Sequence, residues 1–121
     1  MTAETIATFT RKIAASNRTG LVCVLYEIYF AYETEALDFL EEQKTGDVTD
    51  YTKAVRQCGQ VVRHLKEALA FSYDISYSLY ALYDYVERTL ARAMYEQKAD
   101  TIHAAGNVMR HLQDSFVQLA K

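Results

Sequence analysis

The stretch Leu21–Tyr32, LVCVLYEIYFAY, holds eleven apolar or aromatic residues in twelve positions, interrupted only by Glu27. In a helix, about 3.6 residues per turn spread twelve positions around the whole circumference. A surface helix needs one apolar stripe. This segment therefore sits at the centre of a bundle or carries a second apolar face for something else.

The rest of the composition favours the helical reading. Half of the 121 residues are hydrophobic, there is no proline, and only four glycines occur, at 20, 46, 59 and 106. Strands need turns, and turns need clusters of Gly, Pro, Asn and Asp that are missing here. At this length the chain makes one domain with a single modest core.

Apolar residues three and four apart mark the helices outward from that stretch. Ile6, Phe9 and Ile13 suggest a short amphipathic helix or arm over residues 1–17, with Asn17 or Thr19 as a cap for the next helix. Helix one is expected from about Arg18 to Lys44, on a main stripe of Leu21, Leu25, Ile28, Tyr32, Ala36, Phe39 and Leu40. Val22, Tyr26 and Tyr29 form a second stripe. Glu33, Glu35, Asp38, Glu41 and Glu42 are expected on an acidic outer face, and Gly46 suits the left-handed position after the helix. Helix two is expected from Asp50 to Phe71, with Val55, Cys58, Val62, Leu65 and Leu69 in its stripe. Helix three starts near Asp74 or Ser76 and reaches Gln97, on Ile75, Leu79, Leu82, Tyr83, Val86, Leu90 and Met94. Helix four covers about Asp100–Ala120. Short connections favour antiparallel neighbours, so residues 18–121 are expected to form an all-α, up-and-down four-helix bundle.

Function classes narrow by exclusion. A net charge of −3 with acids and bases interspersed argues against nucleic-acid binding, which calls for a basic stripe. The apolar run is too short to span a bilayer and the amino terminus lacks a signal-peptide pattern, so a soluble cytoplasmic protein is expected. Cys23 and Cys58 read as reduced, buried thiols. A di-iron bundle needs two Glu-x-x-His pairs, whereas this chain offers a single Asp-x-x-His, Asp100 and His103. No catalytic constellation or phosphate loop is present, so no metal, cofactor or catalysis is expected. Glu27 reads as a rim charge or a tyrosine partner.

Ten tyrosines against no tryptophan is an unusual balance. Tyr26, Tyr83 and Tyr85 are assigned to the core. Tyr29, Tyr73, Tyr77 and Tyr80 are candidates for a binding surface, because tyrosine offers a large contact area at low rotamer cost. An aromatic ladder beside an over-apolar helix suggests a groove for a peptide helix or extended segment.

Particular strings then matter. Leu25-Tyr26-Glu27 comes just after the helix start at Asn17-Arg18-Thr19-Gly20-Leu21. Further on comes Leu79-Tyr80-Ala81-Leu82-Tyr83-Asp84-Tyr85-Val86-Glu87-Arg88-Thr89-Leu90, and Asp114-Ser115-Phe116 lies in the last helix. This pattern resembles the FliS family of flagellar export chaperones over roughly residues 13–120. It departs from the family at Asn17-Arg18, Ile28 and Ala31, and Phe9 stands where the family's amino-terminal arm usually has a tyrosine. The resemblance implies a helical bundle that binds the disordered carboxy-terminal segment of flagellin and prevents its premature polymerisation. Its groove would then comprise Leu21, Leu25, Ile28, Tyr29, Val62, Leu65, Leu69, Tyr77, Tyr80 and Tyr83, covered by an arm of Ile6, Phe9 and Ile13. Other flagellar export or regulatory proteins are further partners it allows. The alternative is a homodimeric bundle without a flagellin client, whose extra apolar face is its own interface.

Overall fold

The computed structural model describes the backbone of residues 3–15, 18–42, 48–69 and 74–120. These form five helices: α1 (Ala3–Ala15), α2 (Arg18–Glu42), α3 (Thr49–Glu67), α4 (Ile75–Glu96) and α5 (Ala99–Ala120). Among the described residues there is no strand. The four long helices match the expected boundaries to within a few residues. Residue 46, the expected helix-ending glycine, lies outside the described residues, as do Asn17, Phe71 and Tyr73.

Helices α2 to α5 close a ring in which consecutive helices pack on one another and α5 packs back on α2. The contacts run antiparallel around it. Lys66 near the end of α3 meets Asp84 and Glu87, while Tyr51 near its start meets Ala93. Arg110 of α5 reaches Glu33, and His103 lies with Leu40 and Glu41 further along α2. The result is the expected up-and-down bundle, with α1 added against α2 alone.

Four fully buried tyrosines, Tyr26, Tyr29, Tyr51 and Tyr83, are the largest side chains of the core. They pack with Val55, Val62, Val86, Leu90, Ile102 and Met109. Aromatic burial of this kind contributes much apolar area per residue, but each hydroxyl then needs a partner. Tyr51 donates to the Ala93 carbonyl at 2.6 Å, and Tyr26 and Tyr83 bond each other at 2.7 Å. Spacing assigns Tyr85 to the core, yet it is 41% exposed. It sits two residues from Tyr83, and on a helix that step turns the side chain away from the buried face.

Asp74 occupies the N-cap position of α4, but its side chain makes no cap bond; the Tyr77 amide donates to the Asp74 carbonyl instead. Helix α4 stops at Gln97, which takes the left-handed conformation at φ 53° where glycine is usual. Its amide donates to the Ala93 carbonyl and turns the chain directly into α5.

Candidate partner-binding surface

The ten residues assigned to a groove by sequence divide into three groups. Tyr29, Val62, Leu65 and Tyr83 are buried in the core and line no surface. For these four the assignment is corrected. In Leu21–Tyr32, residues on nearly every side are apolar, so spacing alone could not tell which stripe faced inward. An aspartate at Tyr29 would place a charge in the core rather than on a groove.

Leu21, Leu25, Ile28 and Leu69 are half-buried. Val24 is only 6% exposed yet does not belong to the central cluster. Leu21 lies one turn before it, while Leu25 and Ile28 pack against the rim of the cluster. Among the described residues, helix α1 is the one element besides α3 and α5 packed on α2. Within α1, Phe9 is half-buried and Ile6 is 50% exposed, while the Ile13 side chain lies outside those described.

Tyr77 and Tyr80 stand on the outer face of α4, 63% and 43% exposed. Tyr95, 87% exposed, falls on the same side, with the exposed Tyr85 at its edge. Ile75 and Leu82, expected in the buried stripe, are also exposed but lie two positions from Tyr77 and Tyr80 and so on another side of the helix. Single exposed hydrophobics are ordinary on a protein surface, but several on one helix mark an interaction face. The Lys66 ammonium lies 4.7 Å from the Tyr80 ring centre and pairs with Asp84 at 3.4 Å and Glu87 at 3.3 Å. Burial would lower the Lys66 pKa, but its bonds to Glu87 and Asp84 outweigh that and hold it raised. The Glu87 contact is an ion pair without hydrogen-bond geometry.

Beside this face runs a groove of about 380 Å³ between α3 and α4. Val55, Leu90 and Met94 give it an apolar floor, and Arg56, Arg63 and Glu87 bring charge to its walls. Gly59 lines it too, and a Cβ there would meet nothing within 4 Å. The sequence reading missed this groove. The signal was present in Gly59 and Ala91, small residues on facing helices, but spacing within one helix does not reveal which neighbour it faces.

A second feature was missed on the opposite side. Glu33, expected on the acidic outer face, is 2% exposed. Its Oε1 accepts a hydrogen bond from Arg110 Nη2 of α5 at 2.9 Å. Arg110 also stacks on Phe30, 5.2 Å from the ring centre. Glu33 Oε2 and the Tyr29 hydroxyl come near each other without completing a hydrogen bond, and neither has another partner. Burial raises the Glu33 pKa, and Arg110 only partly offsets this. Gly106 makes room for the carboxylate, since a Cβ there would lie 2.6 Å from Oε2.

Cys58 is buried and free, its thiol raised in pKa chiefly by burial; Cys23 is free and half-buried. Among the described residues no helix is long and apolar enough to cross a membrane.

The described residues make an all-helical bundle with an exposed aromatic face on α4. The comparison with protein families names its kind: the family model described as "Flagellar protein FliS" matches residues 2–121. The chain belongs to the FliS family, a family of flagellar export chaperones rather than enzymes. No curated protein matches it.

Proposed function

We propose that this chain is a cytoplasmic chaperone that binds the disordered carboxy-terminal segment of flagellin and keeps it from polymerising before export. The observation that carries the reading is the exposed aromatic face of α4, with Tyr77 and Tyr80 at its centre, next to the open α3–α4 groove. A flagellin tail is an amphipathic segment whose apolar side needs cover while it waits for secretion. Tyrosines supply that cover with few rotatable bonds to freeze. The client loses conformational entropy when it orders, so an extended surface suits it better than a deep pocket. Helix α1, packed on α2, serves as a removable cover for a second contact area there.

Calorimetric titration with a peptide of about forty residues from the host's flagellin carboxy terminus tests this. One-to-one binding with a negative heat-capacity change supports it, and Tyr77→Asp combined with Tyr80→Asp then weakens binding at least about tenfold with helicity unchanged. Absence of binding, both in the full chain and after removal of residues 1–15, overturns it.

A further inference from the structure

The outer face of α4 is complementary to itself. Six of its residues, Tyr77, Ala81, Asp84, Arg88, Ala91 and Tyr95, succeed one another in steps of four and three. That spacing is the seam of a coiled coil. It lies opposite the buried stripe of Tyr83, Val86, Leu90 and Ala93. Five of the six are exposed, and the side chain of Asp84 is 40% exposed. Tyr95, at 87%, is the most exposed of the large apolar side chains described.

The order of residues along this seam is palindromic in chemistry about the level of Val86. Asp84 and Arg88 lie two positions to either side, Ala81 and Ala91 five, and Tyr77 and Tyr95 nine. Asp74 and Lys98, both exposed, lie twelve to either side. When two copies of one helix pack antiparallel about a twofold axis, residues equidistant from that axis meet across it. Tyrosine then meets tyrosine at both ends, and alanine meets alanine between, letting the backbones approach. At the centre Asp84 of each copy meets Arg88 of the other. Asp84 already pairs with Arg88 of its own helix at 3.1 Å, so two copies close these into a ring of four alternating charges.

The geometry points to a second copy of this chain as an occupant of this face, in a twofold antiparallel α4–α4 dimer. One helix face per partner makes a small interface, at or below about 1,200 Å², the range of reversible association. The self-association is independent of the flagellin reading. Its consequence rests on that reading: because the client surface also includes Tyr77, a second copy and the client compete for it.

Sedimentation equilibrium of the full chain, with no flagellin present, tests the proposal. The wild type is expected to show a reversible monomer–dimer equilibrium. Asp84→Arg sets arginine against arginine across the axis and Arg88→Asp sets aspartate against aspartate, so each alone weakens self-association at least about tenfold. An equimolar mixture of the two restores the dimer, because every arginine of one chain then faces an aspartate of the other. Restoration on mixing cannot come from a role within one chain, since neither variant regains its internal pair. A wild type monomeric at all concentrations overturns the proposal. So do single variants that dimerise like the wild type, or a mixture that stays monomeric while both variants keep wild-type helicity.

Discussion

The hydroxyls of Tyr26 and Tyr83 meet at 2.7 Å across the diagonal of the bundle, joining α2 to α4, two helices whose backbones do not touch. Each hydroxyl is the other's partner in a space closed to water. Tyr26→Phe takes this partner from the buried Tyr83 hydroxyl, and Tyr83→Phe removes the other half of the bond; each alone is expected to cost about 1–2 kcal/mol. Tyr26→Phe with Tyr83→Phe removes both polar groups and is expected to cost less than the two singles added together. Urea denaturation of the four proteins gives the coupling energy directly. A double variant that loses the full sum would mean the two hydroxyls do not act as a pair.

The buried tyrosines also set an alkaline limit on the fold. Burial raises the pKa of Tyr26, Tyr29 and Tyr83 above the ordinary value of 10.0, and pushes Tyr51 up to about 12. Their neutral forms are favoured in the folded chain, so this stability is fully present below pH 10 and is lost as the pH rises beyond it, where the unfolded chain gives up protons that the folded chain retains. Helicity should fall between about pH 10 and 12 in step with tyrosinate absorbance at 295 nm. Ionisation of all ten tyrosines, the buried four included, near pH 10 with helicity intact would contradict the burial.

Helix positions and the all-α bundle were legible because α3, α4 and α5 each carry one apolar stripe, and a stripe gives both the period and the inward face. In α2 the same cue fails. With apolar side chains on nearly every side from Leu21 to Tyr32, spacing could not decide that Tyr29 lies in the core cluster while Leu25 and Ile28 reach only its rim. Polar residues misled in the other direction. Glu33 belongs by spacing to the acidic run that continues through Glu35 and Asp38, and only Arg110, seventy-seven residues later, accounts for its burial. Tyr77 and Tyr80 were placed on the surface correctly, since they fall outside the stripe of a helix with one clear face.

The Glu33–Arg110 pair carries a pH signature. Burial raises the Glu33 carboxyl, so the stability tied to its protonated form is present below the unfolded value near 4.5 and lost as the pH rises through the folded one. At neutral pH the charged form is a burden that Arg110 relieves. Arg110→Ala leaves that charge uncompensated and is expected to cost about 2 kcal/mol at pH 7, below the ~3–5 kcal/mol of fully buried pairs because Arg110 is half exposed. Part of the loss should return as the pH is lowered and Glu33 takes up a proton. Glu33→Gln keeps an acceptor for Arg110 without the buried charge, and is expected to be neutral or stabilising at pH 7. Guanidinium denaturation at pH 7 and through a series of lower pH values checks each point. An Arg110→Ala penalty that does not change with pH would place the arginine's role in its stacking on Phe30.

Two helical glycines give opposite outcomes for the same substitution. At Gly106 a Cβ would lie 2.6–2.9 Å from the Glu33 carboxylate, which is held by Arg110 and closed in by α2 and α5. Gly106→Ala must displace that carboxylate, and the overpacking is expected to cost about 1–3 kcal/mol. At Gly59 a Cβ meets nothing within 4 Å, so Gly59→Ala gains helix propensity and is expected to stabilise by about 0.5–1 kcal/mol. Urea midpoints of the two variants should therefore move in opposite directions from the wild type. The second alanine also narrows the α3–α4 groove. A Gly59→Ala variant that is more stable yet binds the flagellin peptide less tightly would locate part of the client in that groove, whereas a loss of stability would show that the space beside Gly59 is closed in solution.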